Sequence, residues 1–152
     1  MLRNPNQNSM ANGKREIWPN HTYEWPDISI SIILGCGSIT SPKENTHPNE
    51  QQADQEKGAT HLLQIIITES AHLLWVLRCK RVIREKTHSN REIRSRWQLA
   101  IKVRLTDNKI TATKIKREEK FTNLIKATWE PMLHKLEEPP ENWLNNSEVF
   151  SR

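Results

Sequence analysis

Between Arg78 and Lys120 the chain repeats one kind of chemistry, a guanidinium or ammonium group every few residues. Arg78, Lys80, Arg81, Arg84 and Lys86 are followed by Arg91, Arg94, Arg96, Lys102 and Arg104, then by Lys109, Lys114, Lys116, Arg117 and Lys120. Such groups bind phosphate, and each contact releases a condensed counterion, so affinity is steep in salt and indifferent to base sequence. From Ser70 to Lys126 there are 16 Lys or Arg against 5 Asp or Glu, a charge of +11, while the rest of the chain sums to −6, giving the net +5. That asymmetry points to a polyanionic partner. Nucleic acid is the expected one, DNA or RNA, held without sequence preference. The expected phosphate contacts are Arg78, Lys80, Arg81, Arg84, Arg91, Arg94, Lys102, Lys116 and Arg117. The competing explanation for the same residues is a solvated helix surface, in which cations near a helix C-terminus complement its dipole.

The other reactive side chains build no site. His21, His47, His61, His72, His88 and His134 include no pair at the spacing that presents two imidazoles to one metal. Cys36 and Cys79 are far apart and form no pair motif, so neither a zinc finger nor a disulfide framework is indicated, and a reducing intracellular setting is expected. Glu69 and His72 lie one helical turn apart, but nothing nearby supplies a nucleophile or an oxyanion donor. The turn Gly35-Cys36-Gly37 lacks the lysine of a P-loop and the glycine spacing of a dinucleotide site. No catalytic residues, no metal and no cofactor are therefore expected. An exposed indole can stack on an unpaired base. Trp75, Trp97 and Trp129, however, fall one per helix on or beside the apolar stripes, which places them in the core. Trp25 and Trp143 are better placed for exposed contacts or for clipping a tail onto the fold.

These side chains need elements to carry them. With 152 residues, 35% hydrophobic content and a mean hydropathy of −0.78, only part of the chain can bury a core. The pattern predicts a mainly α fold, a small bundle of about three helices over residues 58–138, with a disordered N-terminal arm and loop over 1–57 and a tail over 139–152. Within the arm, the alternation Ile28-Ser29-Ile30-Ser31-Ile32 predicts a short extended segment near 28–37. The stretch 38–57 has almost no apolar residue and reads as a loop. Helix one is expected over about 59–86, with Leu63, Ile66, Ile67, Leu74 and Leu77 as its densest stripe. Helix two starts at Ser89-Asn90-Arg91-Glu92, a capping box, and carries Ile93, Trp97, Ala100, Ile101 and Leu105. Residues 106–109 either end that helix or form a loop. Helix three carries Phe121, Leu124, Ile125, Thr128 and Trp129, then Met132, Leu133 and Leu136, and Pro131 predicts a kink or restart near Trp129. No secretory leader is indicated at the N-terminus. The apolar stretch from Leu62 to Leu77 is broken by Gln64, Glu69 and His72, which argues against a membrane span. A soluble protein of the nucleus or cytoplasm is expected.

An ordered series of words resembles the C-terminal region of polyproteins encoded by non-LTR retrotransposons of fungi. It comprises Trp25-Pro26-Asp27-Ile28 with Ile33-Leu34-Gly35-Cys36-Gly37, then Glu69-Ser70-Ala71-His72-Leu73-Leu74-Trp75 through Leu77-Arg78-Cys79-Lys80-Arg81-Val82-Ile83, then Glu92-Ile93 with Arg96-Trp97, Thr128-Trp129 and Glu141-Asn142-Trp143. In that family the region lies after the reverse transcriptase and near RNase H or zinc-binding modules. The resemblance implies RNA-directed DNA synthesis for the parent polyprotein and contact with other parts of it. Counterparts of the polymerase aspartates, the RNase H carboxylates and the zinc ligands are missing here, so those activities do not carry over. The expectation is an accessory nucleic-acid-binding segment that is not an enzyme. Its rivals are a helical protein-interaction or assembly module and a non-functional remnant of a transposable element.

Overall fold

The computed structural model describes Asp27 and residues 29–39, 49–115, 119–136 and 143–144. The fold is all-α, as the apolar periodicity predicts, with three long helices and one short one and no strand among the described residues. Residues 1–26 of the expected disordered arm and residues 40–48 of the expected loop lie outside the described residues.

The extended segment expected near 28–37 is instead a short helix, α1 (Ile30–Leu34), followed by a 3-10 turn at Cys36–Ser38. Ser29 caps α1, its hydroxyl accepting the Ile32 amide proton at 3.3 Å. The isoleucine alternation suits a strand, but a strand needs a neighbouring edge for its amides, and the described residues offer none. Consecutive residues Ile32 and Ile33 both pack against the core, which a pleated strand with alternating faces does not allow.

Helix α2 (Glu50–Arg84) begins at Asn49, whose side chain accepts from the Gln52 amide at 2.9 Å. The boundary expected at Gly58 is therefore wrong by about two turns. Glu50 to Lys57 contribute no apolar stripe, but Glu, Gln, Ala and Lys are strong helix formers and an Asn cap precedes them. The helix stops at Glu85, a left-handed residue with φ 51°, and the Lys86 amide reaches back to the Lys80 carbonyl at 3.4 Å.

Helix α3 (Asn90–Lys114) keeps half of the expected capping box. The Ser89 hydroxyl accepts from the Glu92 amide at 3.2 Å, while the Glu92 carboxylate pairs with Arg96 at 2.8 Å. Residues 106–109 continue the helix. Helix α4 (Glu119–Leu136) runs through Pro131 as one element, without the restart expected near Trp129. Proline has no amide proton for the Ala127 carbonyl one turn back. That carbonyl lies against Gly58 of α2, where a Cβ would stand 2.4 Å from it.

The core sits at one end of the bundle. Leu62, Leu63, Ile65, Ile66 and Ile67 of α2 meet Ile101, Leu105 and Ala112 of α3 and Ile125, Trp129, Met132 and Leu133 of α4. Trp143 and Leu144 close it, so Trp143 clips the tail rather than facing solvent, its indole N–H reaching Glu130 Oε1 at 3.3 Å. The short N-terminal segment docks on α2 through the Gln64 amide, which donates to the Ile39 carbonyl at 3.3 Å.

Beyond this core the α2–α3 hairpin continues as an arm, and from Thr68 to Ala100 no residue is fully buried. Chain length dictates this. The 35 residues of α2 extend about 52 Å and the 18 of α4 about 27 Å, so α4 covers only half of its partner. Leu74 and Trp75, expected in the core, are 48% and 64% exposed. Leu74→Ala is accordingly expected to cost under about 1 kcal/mol, not the several kcal/mol of a buried truncation. Thermal unfolding checks this, and a large fall in Tm would return Leu74 to the core.

Candidate nucleic-acid interface

The hairpin brings two cationic runs to one end of the molecule. Arg78, Arg81 and Arg84 are exposed on the last turns of α2, with Lys80 half-buried, and Arg91 and Arg94 are exposed on the first turns of α3. The antiparallel arrangement that joins them is fixed at the base of the arm. There the Trp97 indole donates to Ser70 Oγ at 2.9 Å, and Arg104 pairs with Glu69 at 3.1 Å. From Arg78 to Arg96 the arm holds eight Lys or Arg against two Glu.

Not all of the expected cations join this cluster. Lys102 is half-buried beside the core residue Ile101, two to three turns down α3 from Arg91 and Arg94, so the expected single surface is divided. Lys116 and Arg117 lie outside the described residues. Arg96 and Arg104 also have structural work, in the ion pairs with Glu92 and Glu69. The Glu69–His72 pair does not form, because Glu69 turns to Arg104 and His72 is exposed.

Trp75 is exposed, although its neighbours on the apolar stretch lead one to expect it in the core. At 100° per residue it lies on the opposite side of α2 from Leu62 and Ile66, a signal present in the spacing itself. Leu74 and Val82 share that outer arc with it, and Val82 is 72% exposed.

No group of His, Cys, Asp and Glu among the described residues could hold a metal ion. His61 serves the fold. Its Nδ1 lies 3.0 Å from Thr128 Oγ1, and the Thr128 hydroxyl donates to the Leu124 carbonyl at 2.6 Å. Threonine has one proton, so His61 Nδ1–H is the donor to Thr128. Burial lowers the His61 pKa first, and the nearby Arg104 charge lowers it further. A histidine whose pKa is lowered in the fold binds its proton more readily when unfolded. Its contribution to stability is complete above the unfolded pKa of about 6.5 and is lost as pH falls below it. The Tm of the parent should therefore fall between about pH 7 and pH 5 by more than that of His61→Gln. Equal falls in both proteins would show that His61 does not carry the dependence.

Among the described residues α2 alone is long and apolar enough to cross a membrane by length and composition. The core helix of a soluble protein passes the same test, and here the apolar residues of α2 divide between the buried set at 62–67 and the exposed set around Leu74 and Trp75. No protein-family model matches the sequence, and neither a curated protein nor a solved structure matches it.

Proposed function

We propose that this protein is an accessory nucleic-acid-binding module, without catalytic residues of its own, that grips phosphates independently of base sequence. The observation that carries this reading is the arm. A segment with no fully buried residue that ends in Arg78, Arg81, Arg84, Arg91 and Arg94 contributes little to the core and concentrates positive charge where a polyanion can reach it. The resemblance of its sequence words to a retrotransposon polyprotein tail supports the same assignment, and other parts of such a polyprotein are natural partners.

The test is a salt-resolved titration of the parent and of the triple variant Arg81→Gln, Arg84→Gln, Arg91→Gln against duplex DNA and duplex RNA. The variant should bind every sequence more weakly by a similar factor. Its slope of log affinity against log salt should shrink by up to about 0.9 per lost phosphate contact. Stability should change by less than about 1 kcal/mol, since exposed charges contribute little. No affinity for nucleic acid near 50 mM salt, or a variant that binds like the parent, would defeat the reading.

A second reading has its own observation. Leu99, Val103 and Ile110, spaced along one stripe of α3, are 61%, 50% and 45% exposed. Such a stripe suits an assembly helix. Complex formation that survives high salt and is lost in Leu99→Asp would favour it over phosphate binding.

A further inference from the structure

The outer face of α2 in the arm carries more than charge. Leu74, Arg78, Val82 and Trp75 fall within about 100° of arc, with Arg78 between Leu74 and Val82. Trp75 is 64% exposed, Leu74 48% and Val82 72%. Trp75 and Arg78 are one turn apart, about 4.5 Å along the axis, and Arg81 follows after another. A face that alternates aromatic, cationic and aliphatic groups in this way leaves its apolar members without a partner if the ligand is a duplex. A duplex shows phosphates and groove edges, and its base faces are stacked inside. An unpaired strand shows phosphates and base faces together.

Resting on the phosphate-binding reading of the arm, we propose that this face is a platform for single-stranded nucleic acid, in which the Trp75 indole stacks on an unpaired base while Arg78 and Arg81 hold the adjoining phosphates. Leu74 and Val82 then pack against sugar and base edges. The arm thereby prefers single strands to duplexes. A lipid surface is the less suitable occupant. A helix lying in a membrane interface separates its cations from its apolar face, whereas Arg78 sits in the middle of this one. Stacking needs no base-edge hydrogen bonds, so the preference for single strands brings no sequence preference with it.

Anisotropy titrations of the full chain with labelled oligothymidylate and oligouridylate strands, and with a mixed-sequence duplex of the same length, test this. Trp75→Ala should weaken strand binding roughly tenfold or more, in keeping with one lost stacked base, and change duplex binding by less than about twofold. The salt slope should stay as in the parent, since no phosphate contact is removed. Trp75→Phe should retain most of the affinity of the parent for strands. Because Trp75 is exposed, these variants should keep the helical circular dichroism and Tm of the parent. A Trp75→Ala protein that binds strands like the parent, or that loses strands and duplex equally, overturns the platform while leaving the phosphate reading in place. A Phe variant as weak as Ala does the same. Binding to phosphatidylserine vesicles that Trp75→Ala abolishes, with strand binding unchanged, would transfer the face to a membrane. Failure of the parent to bind either strand or duplex removes both proposals.

Discussion

Gly58→Ala should destabilise the protein, although alanine is the better helix former by about 1 kcal/mol. The opposing term is contact with backbone. A Cβ at position 58 would stand 2.4 Å from both the carbonyl carbon and the oxygen of Ala127 and 2.8 Å from its Cβ. Carbon atoms in ordinary contact sit about 3.5–4.0 Å apart, and no side-chain rotamer can relieve a clash with main chain. Helices α2 and α4 must separate by roughly an ångström where Leu62, Ile125 and Trp129 fill the space between them. Overpacking of this kind costs about 1–3 kcal/mol and occasionally more, which outweighs the propensity gain. A net loss of about 1–2 kcal/mol is expected for alanine and a larger one for valine. Urea unfolding should show a lower midpoint at an unchanged slope. A variant more stable than the parent would mean that the two helices do not approach here. Pro131 belongs to the same contact. By withholding an amide from the Ala127 carbonyl, it leaves that oxygen facing the Gly58 backbone, where a weak Cα–H···O contact is available to it.

Trp129 sets the other large expected effect. It is fully buried at the centre of the core, and truncation to alanine should cost about 3–5 kcal/mol, a sizeable share of the total stability of a domain this size. Trp129→Phe should cost far less, under about 1.5 kcal/mol. Its indole N–H is buried and finds no acceptor among the described residues. Such a donor carries a desolvation penalty of about 1–3 kcal/mol that phenylalanine removes, offsetting the lost ring volume. Chemical denaturation of the two variants compares these terms directly. Equal losses for Phe and Ala would show that the indole nitrogen is satisfied after all.

The three long helices are legible because each buried face recurs at helical spacing, and the start of α3 carries a capping side chain, Ser89. The first turns of α2 were hidden because they bury no stripe, so the only signals were Asn49 and the propensity of a polar run. The extended segment expected near 28–37 is a helix and a 3-10 turn instead, because β-branched alternation records a preference that depends on a neighbouring strand, which a single segment cannot supply. Periodicity puts Leu74 and Trp75 inside because it shows which arc of a helix is apolar without showing how far its neighbours extend. The difference in length between α2 and α4 held that information. For the candidate interface, the charge of Arg78 to Arg84 and of Arg91 to Arg94 was plain in the sequence. Their gathering at one tip, the separation of Lys102 and the turning away of Arg96 and Arg104 into ion pairs depend on the hairpin geometry.

The absence of any fully buried residue from Thr68 to Ala100 divides the molecule by the free energy of local opening. Amide protons on α2 near Ile66, on α3 near Leu105 and on α4 near Trp129 are released only when the whole core opens. Those toward the tip are released by fraying that breaks few apolar contacts. The Ser70–Trp97 bond and the Glu69–Arg104 pair stand where these two regimes meet. The arm can therefore melt and reform around a flexible ligand on a timescale of its own, while the three-helix core behind it stays folded.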